Sequence, residues 1–160
     1  MNTINILDSA TLISLQNDGF VVARYHSCFI TEEVQNEFQV SRENESYLGR
    51  CSFVSLEIDN ALYLQAYKRT LNKYNLLSFY NLKGVGDMSI LATSCAWAEN
   101  ATNNQPLFPS LIPRLKVVTD DRGLTKVLKK EFPSGSLVTV QTTAEWRNEM
   151  QTPLPFPNNP

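Results

Sequence analysis

Twice along this chain, a short apolar run ends at an acidic residue that opens a helix-spaced segment. Ile4, Ile6 and Leu7 precede Asp8, and Ala10, Leu12, Ile13 and Leu15 then recur at helical spacing until Asp18-Gly19 stops them. Past the middle, Leu115, Val117 and Val118 precede Thr119-Asp120-Asp121, and Leu124, Val127, Leu128 and Phe132 follow at helical spacing. A strand feeding a helix, repeated in this way, predicts an α/β layered fold on a largely parallel sheet. Ligands of such sheets bind outside the carboxyl ends of the strands. Asp8 and Asp121 therefore meet on one rim if their strands are neighbours.

The remaining elements fit between these two units. Phe20 to Ile30 is rich in β-branched and aromatic residues and reads as a strand, after which Thr31 caps a helix carrying Val34, Glu37 and Phe38. Arg50 to Ile58 reads as another strand. Asp59 then starts a segment over 61–80 whose first half keeps helical spacing, while LLSFYNL at 76–82 suits either a strand or the end of a second helix. Gly84 and Gly86 break the pattern before Asp87, which is expected to open a helix with Met88, Leu91, Cys95 and Ala98 on one face. The segment Asn100 to Pro113, rich in proline and amides, reads as a surface loop. Leu137 to Gln141 gives a last strand, and Thr142 with Glu145 has capping-box spacing ahead of a helix over 144–150. These elements make one domain over 1–150, followed by a proline-rich tail at 151–160 that cannot join a helix or a central strand.

Composition narrows the function. With 42% apolar and 19% charged residues in 160, the chain closes a core without staples. Its 14 basic and 16 acidic residues leave a net charge of −2, which excludes a general basic surface for gripping nucleic acid. Cys28, Cys51 and Cys95 lie far apart and cannot all pair, which favours reduced thiols. A zinc site from these with His26 lacks any CxxC pair, and buried thiols are the simpler account. The first twenty residues lack a basic start with an apolar run, and no stretch approaches the ~18 apolar residues of a membrane helix. A cytoplasmic protein without a membrane role is expected.

Asp8, Glu37, Asp87 and Asp121 are the acidic residues that the fold would gather. Taken singly, each has a plainer role as a helix cap, a turn residue or a solvated helix residue. Together at one rim they would raise one another's pKa unless cations neutralise them. Mg²⁺ or Mn²⁺ suits such oxygen ligands. These ions activate water and stabilise the leaving oxygen of a phosphodiester.

The motifs resemble those of PIN-domain nucleases. INILDSATLISL is similar to the family's opening strand, Asp and helix; ITEEVQNEF to its second motif, with Val34 three positions before Glu37; GVGDMSILATSCA to its third, a glycine-rich approach to an acid at a helix start; and VVTDDRGLTKVLKK with SLVTVQTTAEW to its fourth and to the closing strand and helix. The resemblance spans about residues 3 to 150. It implies a three-layer α/β/α sandwich with a central, mainly parallel sheet, and metal-dependent cleavage of RNA. By this resemblance Asp8, Glu37, Asp87 and Asp121 would hold Mg²⁺ or Mn²⁺, with Ser9 and Thr119 as hydroxyl partners. Small bacterial members resembling VapC are often toxins, which would add an antitoxin protein and a homodimer as partners. The 100–113 segment departs from compact toxins by its length, and Asp120 is an alternative ligand beside Asp121, although the Thr-x-Asp register favours Asp121.

Arg122 and Lys126, with Lys129 and Lys130, stand on the helix after Asp121, where they would either touch RNA phosphates or form a solvated face. Two other functional classes compete with the endoribonuclease. One is a PIN-like binding module without nuclease activity. The other is an unrelated α/β enzyme such as an acyltransferase, for which Gly84-x-Gly86 would be a phosphate loop.

Overall fold

The computed structural model describes residues 3–74, 84–104 and 112–151. LLSFYNL at 76–82, most of the proline-rich segment and residues 152–160 lie outside the described residues. Among the described residues four parallel strands, β1 (Thr3–Leu7), β2 (Cys28–Phe29), β3 (Arg114–Val118) and β4 (Val138–Gln141), form one sheet in the order β2-β1-β3-β4. β1 leads through helix α1 (Ser9–Asn17) to β2 on one side, and β3 leads through α6 (Arg122–Glu131) to β4 on the other. The right-handed rule for such crossovers places α1 and α6 on opposite faces of the sheet. The expected α/β/α architecture is the one observed.

On one face, α1 is tied to α7 (Thr143–Gln151). Thr11 Oγ1 and Thr143 Oγ1 lie 2.9 Å apart, and Arg147 pairs with Asp18. Across the sheet, α5 (Gly84–Asn103) packs against α2 (Glu32–Phe38), α4 (Asn60–Tyr74) and α6. Every residue from Met88 to Trp97 is buried. The one-sided pattern read from Met88, Leu91, Cys95 and Ala98 therefore understates this helix, whose small and hydroxylated positions are covered too. Ser94 Oγ donates to Ile90 O at 2.8 Å and Ser89 Oγ to Gly86 O at 2.6 Å, so their polar atoms enter the core satisfied.

Three sequence expectations change. The strand over 20–30 contracts to Cys28–Phe29, because Arg24–His26 forms a 3₁₀ turn in which the Ala23 N–H donates to His26 Nδ1 at 2.8 Å, and Ser27 follows with φ of 51°. The strand expected over 50–58 is not a regular one. It begins with the end of α3 (Arg42–Arg50) and continues as an extended segment that donates from Ser52 N to Val22 O and from Val54 N to Cys28 O, both at 2.8 Å. Finally, the loop expected from Asn100 starts later, since α5 runs to Asn103.

Trp146 seals the α1–α7 face. It is fully buried, stacks edge-on to Phe20 at 5.7 Å, and its indole N–H has no acceptor among the described residues. Trp146→Ala should cost about 3–5 kcal/mol of unfolding free energy. Trp146→Phe should cost much less, because no hydrogen bond is lost; equal losses in chemical denaturation would contradict this packing.

Candidate active site at the carboxyl edge of the sheet

Pairing of β1 with β3 sets Leu7 opposite Val118, so the residues that follow them, Asp8 and Thr119, emerge side by side. The connections from these two strands run to opposite sides, which makes this the switch point where parallel sheets open a crevice. Asp8 is buried and fixed on both oxygens: Oδ1 accepts the Thr11 N–H at 2.7 Å, capping α1, and Oδ2 accepts the Thr119 hydroxyl. Thr119 Oγ1 in turn accepts the Asp121 N–H at 3.0 Å, and Asp121 Oδ1 caps α6 through the Leu124 N–H at 2.6 Å. Capping and placement at the rim are thus one geometry, and each carboxylate keeps lone pairs for another partner.

Glu37 reaches the same region from α2. Its Oε1 accepts the Gly86 N–H at 2.9 Å and its Oε2 accepts the Ser9 hydroxyl at 3.2 Å. Gly86 has to be glycine for this approach: a Cβ there would stand 2.5 Å from Oε2 and 2.9 Å from Cδ of Glu37. Asp87 follows in the first turn of α5, which begins at Gly84 and so three residues earlier than expected. The glycines therefore belong to the helix start. Because the Gly86 N–H is already given to Glu37, Gly84-x-Gly86 is not a free phosphate loop.

Electrostatics ties the four acids together. Burial, and then the negative charges of Asp121, Asp8 and Glu37, push the Asp87 carboxyl up to about 7. Burial also raises Asp8, opposed by its hydrogen bonds from Thr119 and Thr11. Among the described residues, no group of three or more His, Cys, Asp or Glu side chains is placed so that it could hold a metal ion. An all-oxygen set with one carboxyl driven towards protonation nevertheless suits a hard divalent cation, since Mg²⁺ is commonly held by one or two carboxylates with waters completing its octahedron.

Asp120 points elsewhere: its Oδ1 accepts the Thr143 N–H at 3.0 Å, joining the β3 end to α7. Cys28, Cys51 and Cys95 are free thiols, and His26 packs its ring against Phe20 and Tyr25 with Nδ1 engaged by Ala23. Among the described residues they do not gather into a group that could hold zinc. The sequence reading missed two supports, Gly86 under Glu37 and Thr11, whose hydroxyl donates to Val118 O at 3.1 Å. The sequence signal for Gly86 was the glycine immediately ahead of Asp87; Thr11 had none beyond its place one turn after Asp8.

Gly86→Ala should destabilise the fold by about 1–2 kcal/mol, the scale of a charged hydrogen bond lost when Glu37 is displaced. In a Glu37→Ala background the same substitution should be neutral or stabilising, and additive losses would refute the contact. Asp87 sets a pH dependence. Its folded pKa is raised, so its penalty is absent below about pH 4, grows between about 4 and 7, and is full above 7. Asp87→Asn should therefore raise stability by about 1–3 kcal/mol at pH 8 without divalent cations, and should give no gain at pH 4. Thermal melts at the two pH values check this.

No family model matches the sequence, and no curated protein matches it. Among solved structures, the PIN domain of RRP44 from T. brucei is similar with a TM-score of 0.56 over 93% of this chain and 81% of that chain, at 14% sequence identity. With the parallel sheet and its helices on both faces, this likeness gives the chain the fold of a PIN domain.

Proposed function

We propose that the protein is a nuclease that uses Mg²⁺ or Mn²⁺ to hydrolyse phosphodiester bonds within RNA. One arrangement supports this reading: Asp8 and Asp121 are joined through Thr119 at the switch point, and Glu37 is held to the same end by Ser9 and by Gly86, the residue before Asp87. Mutual repulsion in such an arrangement is costly to the fold, and it is relieved by a cation.

Asp8, Asp87 and Asp121 would hold the ion, and Glu37 would orient the attacking water or hold a second ion. A divalent cation, when bound, supplies positive charge against the developing charge at phosphorus and makes water a better nucleophile. The chain's own part is positional. Thr119 and the α1 terminus fix Asp8, while Ser9 and Gly86 fix Glu37. Attack of water in line with the leaving 3′ oxygen leaves a 5′-phosphate and a 3′-hydroxyl.

A toxin held by an antitoxin protein, and a homodimer through this face, are extensions carried by the motif resemblance alone. Among the described residues no helix is long and apolar enough to cross a membrane.

Asp8→Asn and Asp121→Asn keep side-chain size and the capping oxygen, so the fold should persist. Cleavage of single-stranded RNA with Mn²⁺ should fall by more than the roughly 10–100-fold that losing an outer hydrogen-bond partner of a metal site costs. Both variants cutting like the parent, or products ending in 2′,3′-cyclic phosphate, would overturn the proposal. Should Mn²⁺ neither raise the melting temperature nor support cleavage, a binding module without nuclease activity is the correct reading.

A further inference from the structure

We infer that an open cleft along α6 holds the phosphate backbone of a single nucleic-acid strand leading away from the acidic centre. This rests on the nuclease reading only for the identity of the strand's other end. The cleft has a volume of about 550 Å³ and is lined by Thr119, Asp120, Arg122, Lys126 and Lys129 together with two further threonines. Thr119 belongs to both places: its hydroxyl donates to Asp8, and it forms part of the cleft. The cleft therefore begins at the acidic rim.

Arg122, Lys126 and Lys129 stand at i, i+4 and i+7, so they share one face of α6 and extend about 10 Å along its axis. All three are exposed, and among the described residues none makes an ion pair; the salt bridges use Arg69, Lys73, Lys116 and Arg147. Lys130, one position on, turns away over the Tyr74 ring at 6.0 Å. The acids around the cleft are engaged in hydrogen bonds, Asp121 with the Leu124 N–H. Asp120 accepts the Thr143 N–H, and Glu145, whose carboxylate feels the charge of Lys129, is held by the Thr142 N–H and hydroxyl at 2.9 Å.

A solvated lysine face needs no cavity and no shared wall with the acids. Three unpaired cations in file along a cleft that opens at Thr119 match a polyanion whose charges repeat along a line. The chain's net charge of −2 gives no diffuse attraction, so local cations have to supply it. A single file of charges on one helix suits one strand.

The test is binding of a fluorescein-labelled single-stranded oligoribonucleotide, followed by anisotropy in EDTA over a salt series. Each phosphate contact with a single strand contributes about 0.7 to the slope of log K against log salt. The double variant Lys126→Gln/Lys129→Gln, at exposed positions where Gln is a good helix former, should bind several-fold more weakly and lower the slope by about 1.4. Lys68→Gln, exposed on α4, should leave affinity and slope as in the parent. An unchanged slope in the double variant, no binding by the parent at low salt, or equal displacement by a polyglutamate peptide of the same charge each overturns the cleft. Cleavage with Mn²⁺ separates the two readings. A parent that binds with the stated slope and cuts nothing keeps the cleft and loses the nuclease; one that cuts RNA while the double variant binds and cuts identically does the reverse.

Discussion

The parallel register of β1 against β3 is the constraint from which the site follows. With Leu7 opposite Val118, the chain leaves the two strands at the same height, and the Asp8 carboxylate finds the Thr119 hydroxyl without a long loop on either side. Shifting this register by one residue would move every side chain of β1 to the other face. Ile6 and Leu7 are fully buried beside Val117 and Val118, and the buried Asn5 donates its amide N–H to His26 O at 2.8 Å, so the core and this hydrogen bond hold the register.

The cost of gathering like charges is met by local hydrogen bonds more than by ion pairs. Asp8, Glu37 and Asp121 all accept backbone N–H groups at helix N-termini, those of α1, α5 and α6, where the aligned peptide dipoles favour negative charge. Asp87, in the first turn of α5, shares the dipole but accepts no backbone N–H among the described residues, and burial with the charges of Asp121, Asp8 and Glu37 raises its pKa. An arrangement of this kind is stable in folding terms while leaving one member responsive to whatever positive charge enters the crevice.

Much of the architecture was legible in the sequence because β1, β3, α1 and α6 are built from strong patterns: apolar runs, then a capping acid, then an apolar helical period. Thr31, Asp59 and the Thr142–Glu145 box were readable as caps for the same local reason. What escaped was decided by tertiary contacts. α3 buries only Tyr47 and is marked by Ser41 as cap and by charges suited to the helix dipole, so it offers no apolar stripe. The segment 20–30 has strand composition but is bent by the His26 contact with Ala23. The acids of the site could be named from their positions at element ends. That Glu37 leans on a glycine could not, because this depends on the approach of α2 to α5.

The helix-capping bonds of Asp8 and Asp121 have a thermodynamic corollary. Their rotamers are frozen when the chain folds, so the entropy of ordering them has already been lost before any ion or phosphate arrives. On the function proposed above, recognition at this crevice would start from oxygens already fixed in place, and little of the binding energy would be diverted into arranging them.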